Sequence, residues 1–193
     1  MLALLALTLA AAPAAPAVPA LTPEALKARY GGLRRLSADV VQVKEGRYWA
    51  RPFESRVKLR YTPERVEWET VAPVRAQAVI EGGALYVAFA DGRRSELLPM
   101  AGDPRLAALL RFVRALLAVD LAGIERDFVL SYGPGELRAT PRPGSDLALF
   151  TGLRLRFGRD LEIASVDLET PQERTHLRFE HVEREPAPDA ARP

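Results

Sequence analysis

The sequence predicts a mostly β (α+β) protein: a curled antiparallel half-barrel of about ten or eleven short strands, interrupted by one long helix. Three observations carry this. Apolar and polar residues alternate along most of the chain, most clearly where Phe53, Ser55, Val57, Leu59 and Tyr61 interleave with Glu54, Arg56, Lys58 and Arg60. One face of such a strand suits a core and the other is fully charged, the pattern of an antiparallel sheet wetted on one side. Turn signals such as Thr62-Pro63-Glu64, Glu81-Gly82-Gly83, Gly133-Pro134-Gly135 and Gly158-Arg159-Asp160 separate these runs at short intervals. The third observation is the break in the pattern at 103–119, where the apolar period changes from two to that of a helix.

Taken in order, the chain of 193 residues opens with MLALLALTLAAAPAAPAVPA, which contains no charged side chain. Its apolar core is too short to span a bilayer and is followed by small residues, so residues 1–20 read as a secretory signal peptide. Cleavage after Ala20 and cleavage nearer Ala11 or Ala12 both fit. Residues 21–184 then form one domain, with 185–193 a Pro-, Ala- and charge-rich disordered tail. Thr22-Pro23-Glu24 caps a first helix that stops at Gly31-Gly32. Strands follow at 36–43, 53–61 and 65–70, where Val66, Trp68 and Thr70 alternate with Arg65, Glu67 and Glu69. The meander continues at 76–80, 84–89 and 95–98. Beyond the long helix, a short helical or irregular piece covers 120–126. Strands resume at 128–132, 136–140, 153–157, 161–169 and 175–182.

The long helix is well marked. Asp103 caps its first free N–H groups and Pro104 suits its first turn. Leu106, Leu109, Leu110, Val113, Leu116 and Leu117 share one face, which Phe112 and Val119 widen, while Arg111 and Arg114 hold the narrow polar side. Two readings follow: an ordinary core helix on a sheet, or an apolar lid over a cavity. The sheet favours the lid, because two helices barely cover so many strands, and an under-covered concave sheet encloses apolar space.

Composition excludes several functions. The 27 Lys+Arg against 25 Asp+Glu give a formal net charge of +2, and the basic strand faces are interleaved with acids. Cross-strand ion pairs explain them better than nucleic acid. With no cysteine there is no disulfide, no thiolate metal site and no lipid-anchored N-terminus. His176 and His181, five apart in one strand, are expected on opposite faces, solvated or at a sheet edge. No nucleophile elbow or phosphate loop occurs, so no catalytic residue, metal or cofactor is expected.

The order of elements, with Ala38-Asp39-Val40-Val41-Gln42, Pro63 followed by Val66-Glu67-Trp68, Glu81-Gly82-Gly83-Ala84-Leu85-Tyr86 and Phe157-Gly158-Arg159-Asp160, resembles the LolA family. Leu168-Glu169 and Gln172-Glu173-Arg174-Thr175 fit the same pattern. Members are periplasmic carriers that take lipoproteins to the outer membrane of Gram-negative bacteria. The resemblance implies an incomplete, strongly bent antiparallel barrel whose lid helix encloses a cavity for acyl chains. In the family an Arg directly before Pro on a hairpin tethers the lid. That position is Thr62 in this chain, which leaves Arg60 and Arg65 as possible lid tethers.

The expected function is therefore a soluble periplasmic carrier of an acylated lipoprotein or other lipid, acting as a monomer between an inner-membrane exporter and an outer-membrane acceptor. The alternative is a non-carrier module on this fold that senses lipoprotein or serves as a scaffold. The expected cavity residues are Phe53, Val57, Leu59, Tyr61, Val66, Trp68, Leu85, Val87 and Phe89. The expected lid residues are Leu106, Leu109, Leu110, Val113, Leu116 and Leu117.

Overall fold

Eleven strands form one antiparallel sheet in the order β6-β5-β4-β3-β2-β1-β11-β10-β9-β8-β7. The structure is a computed structural model and describes residues 21–89, 94–98 and 103–186. The signal peptide expected at 1–20, the turn expected around 90–93, residues 99–102 and the chain from 187 lie outside the described residues.

The chain starts in the middle of the sheet and crosses from one edge to the other once. After α1 (Pro23–Tyr30), β1 (Arg35–Gly46) lies at the centre, and β2 (Phe53–Tyr61), β3 (Arg65–Ala72), β4 (Ala76–Glu81), β5 (Ala84–Phe89) and β6 (Arg94–Leu98) step outward to one edge. The chain then crosses through α2 (Pro104–Ala118) and α3 (Leu121–Glu125) to the opposite edge. From there β7 (Phe128–Gly133), β8 (Glu136–Pro141), β9 (Gly152–Phe157) and β10 (Ile163–Glu169) step back inward to β11 (Glu173–Glu185), which pairs with β1. The long helix is thus the crossover between the two sheet edges. That connection places it over the apolar face.

The period-two pattern sets that face. Along β2 the buried residues are Ser55, Val57, Leu59 and Tyr61, with exposed charges between them. Register carries this face outward, pairing Leu59 with Trp68, Trp68 with Ala78 and Ala78 with Val87. On the other wing Leu137 faces Leu155, and Leu155 faces Val166. Ile80 and Leu155, from opposite wings, belong to one core cluster, so the sheet has to curl for its wings to share it.

The outer face is laced by ion pairs. Arg60 and Arg65 meet Glu67 at 3.1 and 2.6 Å, and Arg156 meets Asp167 at 2.9 Å. Opposite charges on neighbouring strands, and two apart on β3, explain the arginines without a polyanion.

Helix α1 has few apolar residues and is held by tertiary contacts. Leu26 and Tyr30 are buried, and the Tyr30 hydroxyl donates to Leu161 O at 2.9 Å while accepting from Ile163 N at 3.0 Å. Helix α2 begins as its sequence demands, with Asp103 accepting from the N–H groups of Arg105 and Leu106. It ends on Val119 in a left-handed conformation (φ 49°) that costs a β-branched residue about 1–2 kcal/mol. The same side chain is 3% exposed, and its burial offsets that strain.

Three expectations are corrected. Strand β11 runs to Glu185, three residues past the expected strand end at 182 and onto the first residue of the expected tail, because Arg35 still pairs with Glu185. Residue Leu161, expected in a strand, sits in the β9–β10 turn with φ 55°. The histidines do not lie on opposite faces. A bulge between Asp39 and Ser37, with His181 at φ 50°, adds a residue and turns His181 to Asp39 (Nδ1 to Oδ2, 3.0 Å). His176 meets Asp167 at 2.7 Å on that same charged face.

Candidate functional site

The apolar face is not covered evenly. Toward β8–β10, inner residues such as Leu137, Leu155 and Val166 are fully buried, as are Val40, Val57 and Leu59 near the centre. Toward β3–β5 the inner residues Trp68, Ala78, Leu85 and Val87 are only half-buried. The cover runs out on the wing that ends in β6.

Helix α2 explains the difference. It is buried on two sides: Ala108, Phe112, Ala115, Leu116 and Val119 form one, reaching well round from the leucine face read in the sequence, and Leu110 and Leu117 of that face form the other. Phe112 packs on Phe128 and Phe150 with ring centroids 4.9 and 5.7 Å apart, fixing the helix to β7 and to the loop before β9. Such an aromatic cluster contributes about 0.5–1.5 kcal/mol per pair beyond its area. Small residues on this side allow close approach: a Cβ built on Gly123 of α3 would stand 2.8 Å from that of Ala115. By contrast Leu106, Leu109 and Val113, at i, i+3 and i+7, remain half-buried while still packed on the core.

The helix therefore serves as anchor and cover at once. Two sides are core. Between them Leu106, Leu109 and Val113 form a half-open apolar strip on the protein's inner side, the side to which β3–β5 bring Trp68, Leu85 and Val87.

The expected site residues divide accordingly. Val57, Leu59, Tyr61 and Val66, and Leu110, Leu116 and Leu117 from the helix, are all 6% exposed or less and form core. Those retaining accessible apolar surface are Trp68, Leu85, Val87, Leu106, Leu109 and Val113. Phe53 is 36% exposed at the end of β2, stacked on Trp49 at 4.8 Å. The side chain of Phe89 lies outside the described residues.

Neither arginine expected as a tether acts as one. Arg60 and Arg65 point to the outer face, where Arg65 also reaches Glu81 at 2.8 Å. Thr62 instead closes the β2–β3 turn, its hydroxyl accepting from Arg65 N at 3.1 Å. The helix carries its own tether: Arg114 Nη2 donates to Glu64 O at 3.1 Å and toward Ile80 O at 3.5 Å. Arg114 was visible in the sequence as half of the narrow polar side, but periodicity does not say which carbonyls a guanidinium reaches.

Clefts on the outer face differ in kind. One of about 420 Å³, lined by Arg35, Arg60, Thr62, Arg65, Glu67 and Glu183, is walled by charge. Burial by itself would raise the Glu67 carboxyl, but hydrogen bonds and charge from Arg65 and Arg60 outweigh it and hold it below its ordinary range. Among the described residues no cluster of His, Asp and Glu is arranged to hold a metal, and no helix is long and apolar enough to cross a membrane.

No protein-family model and no curated protein matches this chain. Solved structures similar to it include a DUF1329 family protein from Desulfovibrio piger, at 10% identity and a TM-score of 0.45 over 83% of this chain and 90% of that one. A LolA superfamily protein from Nitrosomonas europaea is similar at 12% identity and a TM-score of 0.41, over 86% and 92%. The lipoprotein LppX of Mycobacterium tuberculosis is similar at 13% identity and a TM-score of 0.45, over 82% and 94%.

Proposed function

We propose that this protein is an exported, periplasmic carrier that shields the acyl chain of a lipid or lipoprotein cargo between α2 and the β3–β5 wing. The observation that carries the proposal is the uneven cover of the apolar face. Leu106, Leu109 and Val113 on the helix, with Trp68, Leu85 and Val87 on the sheet, keep accessible apolar surface beside an otherwise closed core. Burying hydrocarbon contributes roughly 0.8 kcal/mol per CH₂, so a strip of this kind binds a chain without polar chemistry. None of the six side chains carries a charge, which suits a cargo of hydrocarbon. The resemblance of the sequence to the LolA family supports the same reading, and it makes an inner-membrane exporter and an outer-membrane acceptor the expected partners.

The test is native mass spectrometry of the protein purified from the periplasm under mild conditions, followed by titration of the delipidated protein with a fluorescent fatty acid. Bound acyl species and saturable binding that Leu109→Glu abolishes are the expected results. Clean protein that takes up no probe, or a folded Leu109→Glu variant that binds as the parent does, would overturn the proposal.

A further inference from the structure

The five exposed large hydrophobic residues among those described, Tyr48, Phe53, Val74, Val129 and Leu149, all gather at one end of the sheet. Register establishes this. Gly46 pairs with Glu173 and Lys44 with Phe53, so the β1–β2 connection and the β10–β11 turn close at the same end. Arg56 pairs with Ala72, which puts the β3–β4 turn there too. Glu169 pairs with Gly152, and Phe128 with Pro141, which adds the loop before β9 and the start of β7. Exposed apolar side chains scattered singly need no explanation, but five on one rim do.

Two turns of the same rim are basic. The connection Arg47-Tyr48-Trp49-Ala50-Arg51-Pro52 and the turn Pro73-Val74-Arg75 carry arginines and no acid. Asp146 is the acid in the loop before β9, which also holds Arg142. Glu173, at the start of β11, is already engaged by Trp49 Nε1 at 2.7 Å and by Lys44 at 3.7 Å. Trp49 is held by that bond and by its stack on Phe53, so the tip is pre-organised, with Tyr48 66% exposed and Val74 71% exposed beside it.

We infer that this rim docks on the surface of a bilayer containing anionic phospholipid. Aromatic rings interleaved with arginines suit the headgroup level, where the rings enter the boundary and the guanidinium groups meet phosphates. Charge decides the occupant: two leading turns that carry Arg47, Arg51 and Arg75 and no acid complement an anionic surface. The inference goes beyond the carrier proposal and does not depend on it, because docking requires no occupied cavity and the fatty-acid titration contains no bilayer.

The experiment is flotation of the full mature chain with phosphatidylcholine vesicles, with and without phosphatidylglycerol. The protein is expected to float with the anionic vesicles, less so as salt rises, and weakly or not at all with the neutral ones. Each arginine near such a surface is worth about fivefold in binding, so R47Q/R51Q should lose about 25-fold. Tyr48→Ser and, independently, Val74→Ser should each weaken flotation; both replace exposed side chains, and circular dichroism checks that they fold. Absence of flotation with anionic vesicles, equal flotation with neutral ones, or undiminished flotation of folded R47Q/R51Q would overturn the inference. So would concentration-dependent dimerisation that Tyr48→Ser abolishes, since the rim would then be a protein interface.

Discussion

Arg114 of α2 donates to the backbone carbonyl of Glu64 at 3.1 Å, tying the crossover helix to the β2–β3 turn. The tie is one-sided. It comes from the helix and ends on a carbonyl whose position the turn dictates, with Ile80 O as a second acceptor at 3.5 Å. Its Nε is buried without a partner among the described residues, so removing the guanidinium relieves one unmet donor while taking its donors from the Glu64 and Ile80 carbonyls.

Replacing Arg114 with Met keeps the aliphatic stem and removes the donors. The expected loss is about 1–2 kcal/mol, the usual cost of breaking hydrogen bonds to a charged group at a partly covered site. Hydrogen exchange should localise the change, with faster exchange over the first turns of α2 and little effect in β8–β10. Uniform acceleration throughout the domain would show that Arg114 stabilises the fold as a whole and is no tether.

The two sides of α2 should respond differently to truncation. Phe112 is 3% exposed and packs on Phe128 and Phe150. Phe112→Ala should therefore cost about 3–5 kcal/mol in urea unfolding, as for other large aromatic residues removed from a core. Leu109 is half-buried, and Leu109→Ser should cost under about 2 kcal/mol, since less apolar area is lost and no closed cavity forms. Equal losses at both positions would mean that the strip at Leu106, Leu109 and Val113 is core and offers no binding surface.

These contrasts also mark what the sequence conveyed. Strands were legible because alternation at Val57, Leu59 and Tyr61 against Arg56, Lys58 and Arg60 reports a face directly. On the helix, Leu110, Leu116 and Leu117 of the leucine face do pack, but the second packed side was not legible, because leucines weigh heavily in a periodicity while Ala108 and Ala115 mark close approach without adding apolar bulk. His181 was misplaced for a related reason: a bulge shifts the parity of every later residue in its strand and leaves no mark in composition. The tether depended on a contact 50 residues distant in sequence, between Arg114 and Glu64, which local pattern does not encode.

Acid should weaken the outer face through Glu67. Burial raises this carboxyl, but the bonds from Arg65 and Arg60 more than compensate, leaving it below its ordinary value of 4.5. A carboxyl depressed by folding contributes stability that is fully present above the unfolded value and is lost as pH falls through the folded one. Glu67→Gln should accordingly be less stable than the parent near neutrality by about 1 kcal/mol or less, since Arg60 is largely exposed. The difference should shrink below pH 4.5 as the parent's own Glu67 protonates. Urea titrations of both proteins across that range measure it, and a gap that stays constant into acid would exclude the ion pairs as its source.

Tyr30 offers the sharpest check on how α1 is held. Its hydroxyl donates to Leu161 O at 2.9 Å and accepts from Ile163 N at 3.0 Å, while its ring meets Phe157 edge-on at 6.2 Å. Tyr30→Phe retains the ring and deletes one oxygen, so the ring packing is unchanged and the Ile163 N–H is left buried without its acceptor. The loss should be about 1–3 kcal/mol, the cost of an unsatisfied buried donor and not merely of one exchanged bond. Thermal unfolding gives the size of the effect, and hydrogen exchange at Ile163 gives its place. If the variant melts with the parent and Ile163 stays protected, α1 is held by the burial of Leu26 and the Tyr30 ring, and the hydroxyl contributes nothing to the attachment.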